Sequence, residues 1–121
     1  MANPNIVNVT DIRGKTGTAA LTTVSSDIVT NSASSNKIYK INTIIVSNVD
    51  GTNAADATVT FYDADGTVTR HLAKTISVPE NSTLVVLSKD TAIYLEEGDK
   101  ISALASASGD LEIIVSYEEI S

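Results

Sequence analysis

Apolar and polar residues alternate along this chain in short runs, and clusters of Gly, Asp, Asn and Ser separate the runs. The last run is the clearest: Leu111, Ile113, Val115 and Tyr117 share one parity, while Glu112, Ser116 and Glu118 share the other. A period of two marks a half-buried strand, because successive side chains point to opposite faces of a sheet. Ala57, Val59 and Phe61 alternate with Thr58, Thr60 and Tyr62 in the same way. Ala64-Asp65-Gly66 then predicts a hairpin, since Asp-Gly tolerates the positive φ of a tight turn. The return strand, residues 67–78, would group Val68, Leu72, Ile76 and Val78.

Residues 37–49 form the longest apolar run and predict a central strand covered on both sides. Tyr39, Ile41, Ile45 and Val49 would lie on one face, with Ile44 and Val46 on the other. Further strands are expected over residues 16–26, 28–29, 83–88, 92–95 and 100–106. The polar stretches 30–36, 50–56, 79–82, 96–99 and 108–110 read as loops and turns. Composition agrees: 40 of the 121 residues are Thr, Val or Ile, which pack well on a pleated surface and lose rotamer freedom in helices. The expected fold is an all-β antiparallel sandwich of about eight strands, jelly-roll-like or immunoglobulin-like, with a meander and at least one cross-sheet connection.

Two parts are expected, an extended N-terminal arm over residues 1–15 and a sandwich domain over residues 16–121. The arm lacks sustained alternation, contains Pro4 and Gly14, and offers Ile6, Val7, Val9 and Ile12 as its apolar residues. An arm of this type becomes ordered by lying on a neighbour, often as an added strand. These four residues are the candidate assembly contacts.

Charge narrows the partners. The net charge of −7 divides into +2 over residues 1–45 and −9 over the rest. Phosphate backbones require clustered Lys and Arg, so no nucleic-acid partner is expected. No run approaches the roughly 18 apolar residues of a spanning helix, so no membrane segment is expected. Residues 1–8 show no basic segment followed by an apolar stretch, so no secretory signal is expected. Without cysteine there is no disulfide, zinc–thiolate site or thiol catalysis.

Candidate chemistry is sparse. Arg13-Gly14-Lys15-Thr16 resembles the end of a phosphate-binding loop, but Val9 stands where that loop needs its first Gly. Asp63-Ala64-Asp65-Gly66 resembles half a calcium loop, to which Asn48, Asp50, Asn53 and Asp56 could add oxygens, yet no Glu closes it at the required spacing. His71 is the only imidazole, and a hydrolase would need a carboxylate and a nucleophile beside it. Glu96 and Glu97 are adjacent and would point to opposite sides, unlike the facing carboxylates of a glycosidase. Glu118 and Glu119 read as solvated charges on an edge strand, which discourage unwanted pairing. The reading is therefore a non-enzyme with no catalytic residues, no metal and no cofactor.

Several segments carry a resemblance: residues 44–59 (IIVSNVDGTNAADATV), His71 to Lys74 (HLAK), Val78-Pro79, residues 93–100 (IYLEEGDK) and residues 111–121 (LEIIVSYEEIS). Together they resemble a family of small virion structural proteins of tailed phages from cyanobacteria and other marine bacteria. Leu95, Gly98, Asp99 and Ile101 are also similar to a strand–turn–strand element of trimeric jelly-roll heads. The resemblance implies a virion component assembled in the host cytoplasm, a capsid decoration or cement protein that binds the outside of the shell. It further implies a symmetric homo-oligomer, a trimer favoured, in contact with the major capsid protein or another virion protein. The alternative is a neck or tail-fibre appendage that binds a host-surface glycan. Glycan sites present exposed aromatics, and this chain has one Phe and four Tyr, at positions 39, 62, 94 and 117.

Overall fold

A computed structural model describes residues 3–121. It contains nine strands: β1 (Ile12–Ala20), β2 (Ser26–Thr30), β3 (Ile38–Asn48), β4 (Ala55–Asp63), β5 (Val68–Val78), β6 (Thr83–Leu87), β7 (Ile93–Leu95), β8 (Lys100–Ala105) and β9 (Leu111–Ile120). One 3-10 turn, Lys89–Thr91, is the only helical element among the described residues. The strands form a sandwich of two antiparallel sheets. A five-stranded sheet runs β1-β9-β3-β6 with β7 also on β3, and a four-stranded sheet runs β2-β8-β4-β5.

This order is that of a jelly roll, in which nearly every connection passes from one sheet to the other. The meander expected from sequence is therefore corrected: among the described residues, β4 and β5 are the only consecutive strands that pair. Crossing between sheets lets each short strand bury one face against the opposite layer, which a flat meander of these strands would leave wet. β1 begins at Ile12 rather than residue 16 and ends at Ala20. Thr22-Thr23-Val24-Ser25 leaves the sheet because the Thr22 hydroxyl accepts from the Val24 N–H and bends the backbone.

The core lies between the sheets. Ile41, Ile44, Val46, Ile113 and Val115 of the larger sheet face Val29, Ala57, Val59, Ile101, Ala103 and Ala105 of the smaller one, all buried. Bulky side chains on one layer meet alanines on the other, so two layers with few aromatics still close-pack.

Bulges alter the expected faces. The β3–β9 register shifts between Ile41 and Thr43, so Ile41 and Ile44 both point inward while Ile45 turns outward. Val49 lies beyond the strand and is exposed. β3 is central in its sheet, but the second sheet covers only one of its faces. The β4–β5 register shifts twice, and Thr75 adopts φ +46° with its N–H donated to the Thr58 hydroxyl. Ala73 and Val78 are buried as a result, and Ile76 is 42% exposed instead of joining Leu72 inside. In the β4–β5 hairpin the positive φ falls on Thr67 (+51°), after a turn closed from the Thr67 N–H to the Ala64 carbonyl.

Each end of the sandwich is tied by one buried asparagine. At the lower end Asn31 donates to the Lys37 and Leu95 carbonyls (2.9 and 3.0 Å) and accepts from the Ser35 hydroxyl (2.6 Å). At the upper end Asn48 donates to the Asn53 and Val78 carbonyls (3.0 and 2.9 Å) and accepts from the Asp50 N–H (2.9 Å). Each amide thus replaces water for loop carbonyls that the core would otherwise leave unpaired.

Candidate assembly surfaces

β1 is an edge strand whose register with β9 is unbroken over all nine residues, Ile12 opposite Ile120 to Ala20 opposite Glu112. Asp11 and Ser121 exchange both backbone hydrogen bonds at 2.9 Å. Hydrogen-bonded and non-bonded positions alternate along an antiparallel pair, so odd-numbered residues of β1 bond to β9. The N–H and C=O groups of Ile12, Gly14, Thr16, Thr18 and Ala20 point away from the sheet.

Four residues of the expected arm, 12–15, therefore belong to β1 and pair with the chain's own β9. Before them, residues 3–11 run along the lower end of the domain. Asn3 donates to Glu96 at 2.9 Å, and the Thr10 N–H donates to the Ser121 carbonyl at 2.8 Å. Ile6, Val7 and Ile12 are exposed, Val7 at 85%, while Val9 is half-buried. The first two residues of the expected arm lie outside the described residues.

Glu119 departs from its expected role. β9 lies between β1 and β3, so it is a central strand and not an edge, and Glu119 is 7% exposed. Its carboxylate accepts from Lys37 at 2.5 Å and pairs with Lys15 at 3.1 Å. The Lys37 hydrogen bond holds this carboxyl below its ordinary value against the opposing effect of burial, with Lys15 adding in the same direction. Burial pushes the neighbouring Tyr39 phenol up, and the charge of Glu119 adds to that shift. Tyr39 stacks on Tyr117 with centroids 5.3 Å apart. Glu118 is half-buried and accepts from the Asn42 amide at 3.1 Å.

The remaining candidates do not converge. Arg13-Gly14-Lys15-Thr16 is extended strand, with no helix N-terminus to cradle a phosphate. Asn48, Asp50, Asn53 and Asp56 sit at the upper end of β4, whereas Asp63 and Asp65 sit at its lower end. Asp63 is occupied by the Asp65 and Gly66 N–H groups of its own turn, and no metal-holding group of His, Cys, Asp and Glu occurs among the described residues. His71 is exposed on β5 opposite Thr60. Glu96 accepts from Asn3 and the buried Glu97 from the Asn36 N–H, so the two carboxylates face different partners. Nearby, burial pushes the Asp99 carboxyl up even though it accepts from the Ala64 and Glu96 N–H groups. Lys100 pairs with Asp27 at 3.2 Å and lies 5.3 Å from the Tyr62 ring centre.

Sequence reasoning missed the outer face of the larger sheet. Register places Thr18, Ile114, Ile45 and Val85 in one row across four strands, beside a row of Thr16, Ser116 and Thr43. Neither row carries a charge. Thr18, Ala20, Ser47, Glu112 and Ile114 border an open groove of about 290 Å³ on this face. By contrast the upper end carries Asp50, Asp56, Glu80, Asp110 and Glu112, with no Lys or Arg in residues 20–26, 48–56, 78–83 or 105–112.

Neither a family model nor a curated protein sequence matches the chain. Among solved structures it is similar to a subunit from a study of Bacillus endospore appendages, described as a novel family of disulfide-linked pili. That match has a TM-score of 0.51 at 17% identity and covers 92% of this chain and 88% of the other. A pentameric capsid protein from metagenomic phage sequences matches with a TM-score of 0.42 at 18% identity, over 84% of this chain and 60% of that one. A chain of infectious bursal disease virus, Gx strain, matches with a TM-score of 0.37 at 11% identity, over 93% and 37%. The first of these likenesses supports the all-β jelly-roll class already read from the strand order.

Proposed function

We propose that this chain is a non-enzymatic structural subunit that binds copies of itself and a larger particle. In its most specific form it is a phage virion protein that decorates or cements the outside of a capsid as a symmetric oligomer. The observation that carries the reading is β1: a nine-residue, bulge-free edge with free backbone groups, on a domain whose exposed N-terminal segment carries Ile6 and Val7. Exposed edges of this type are templates for pairing with another chain. The segments that resemble phage virion proteins supply the virion context. The fold shared with a pilus subunit favours a second reading, a tail or appendage element. Lacking cysteine, this chain would assemble without disulfide links.

The test is to add purified protein to particles that lack it and count copies per particle. Hundreds of copies spread over the head support capsid decoration, whereas a few to dozens at one vertex or on the tail support the second reading. No binding to either would refute the particle role.

A further inference from the structure

We infer that the free edge of β1 docks β1 of a second copy, antiparallel about a two-fold axis at Thr16, so that the two larger sheets join into one. The inference rests on the assembly reading and specifies its surface. The other edge strands are β2, β5, β6 and β7: β2, β5 and β6 each carry a register shift, β2 and β6 are five residues long, and β7 is three. Bulges and short length are the usual devices that blunt an edge. β1 has neither.

The sequence of β1 is self-complementary about Thr16. Its outward-pointing backbone groups belong to residues 12, 14, 16, 18 and 20, so an antiparallel partner must match even positions with even positions. The Thr16 axis does this: Ile12 meets Ala20, Gly14 meets Thr18, and Thr16 meets itself. Each such pair exchanges two backbone bonds, giving on the order of ten across the junction. Thr–Thr is a favourable cross-strand pair. The intervening positions place Arg13 opposite Ala19 and Lys15 opposite Gly17, so no two cations face each other directly.

Lysine on an edge ordinarily deters pairing, yet here Lys15 is engaged by Glu119 at 3.1 Å on the inward side of the sheet. Arg13 stands opposite Glu119 across the β1–β9 ladder, so both cations of β1 lie beside that carboxylate. β1 itself holds two cations and no acid, on a protein of net charge −7 whose upper-end loops carry acids and no Lys or Arg. A second copy would approach across this strip with less repulsion than across the upper loops.

The test uses the absence of native cysteine. In the proposed dimer the two Thr16 Cα atoms stand roughly 5.5 Å apart. The full-length Thr16→Cys protein is treated with a short thiol-specific cross-linker, beside a Thr69→Cys control on the exposed β5 edge. Covalent dimer should form roughly tenfold or more faster from Thr16→Cys, as expected of thiols held together rather than meeting by diffusion. Thr16→Pro, which removes an N–H not used by β9, should shift the native mass from dimer to monomer with an unchanged circular dichroism spectrum. An oligomeric wild type with no cross-linking preference at position 16 overturns this interface and leaves self-assembly to another surface. A cross-linked dimer that never binds a particle keeps the interface and removes the particle role. A wild type that is monomeric at every concentration overturns the interface and the self-association, and leaves the particle role to the binding test.

Discussion

Replacing Asn31 with Ala removes a side chain that is fully buried and joins two loops at the lower end. The Lys37 carbonyl loses a donor at 2.9 Å, the Leu95 carbonyl loses one at 3.0 Å, and the Ser35 hydroxyl loses its acceptor. The backbone bonds from Asn31 to Asp99 and from Gly98 to Asn31 survive, so the loops are loosened but not released. A buried polar group left unpaired costs about 1–3 kcal/mol, and the Leu95 carbonyl is the more buried of the two acceptors. The expected total is about 2–4 kcal/mol. For a domain of this size about 1 kcal/mol lowers Tm by roughly 3–6 °C, so a fall on the order of 10–20 °C is expected. Thermal and urea denaturation followed by far-UV circular dichroism measures it. Ser35→Ala, which removes a half-buried partner that donates to the Asn31 oxygen and accepts from the Lys37 N–H, should cost about 1–2 kcal/mol, less than Asn31→Ala. An Asn31→Ala protein within about 0.5 kcal/mol of wild type, or a Ser35→Ala protein equally destabilised, would refute the clamp.

Asn48→Ala should lose a similar amount, since it frees the Asn53 and Val78 carbonyls at the other end, and the same melts check it. Gly109 sits at φ +85° with open space where a Cβ would stand, so Gly109→Ala should cost about 1–2 kcal/mol of backbone strain alone in urea denaturation. Because the folded Glu119 carboxyl lies below its ordinary value near 4.5, its stabilisation is present above that pH and is lost as pH falls through the folded value. Wild type should therefore lose Tm more steeply than Glu119→Gln over that acidic window, and parallel curves would contradict the Lys15–Glu119–Lys37 arrangement. Removing residues 1–9 should leave the melting curve nearly unchanged, whereas removing residues 1–15 should destabilise the domain because Ile12–Lys15 pair with β9.

The alternation of residues 111–118 gave the inner face of β9 correctly, because that strand pairs with both neighbours without a bulge on its own side. β3 misled for the converse reason. One extra residue at Asn42 inverts the parity, and nothing in a run of Ile and Val marks where a ladder slips. Glu118 and Glu119 looked like edge charges because chain ends are often edges. A jelly roll instead buries its last strand between its first and third, so Lys15 of β1 and Lys37, just before β3, arrive at Glu119 from far away in sequence. Asn31 was hidden within a polar stretch that read as a loop, and Asn48 at the end of an apolar run that read as a strand. A buried amide that caps carbonyls has the same local sequence as a solvated turn, and only tertiary placement separates them. β1 was partly legible: its Thr and Ala alternation showed, but Gly14 and the cations beside it resembled a flexible arm.

Self-association through non-catalytic surface is the claim on which the account turns, and sedimentation equilibrium of the untagged full-length protein over a wide concentration range measures it directly. The account predicts mass that rises reversibly from one chain to two or a higher closed multiple, with weak dependence on salt, because the β1 contact is mainly backbone hydrogen bonding. A single-chain mass throughout the range would contradict it.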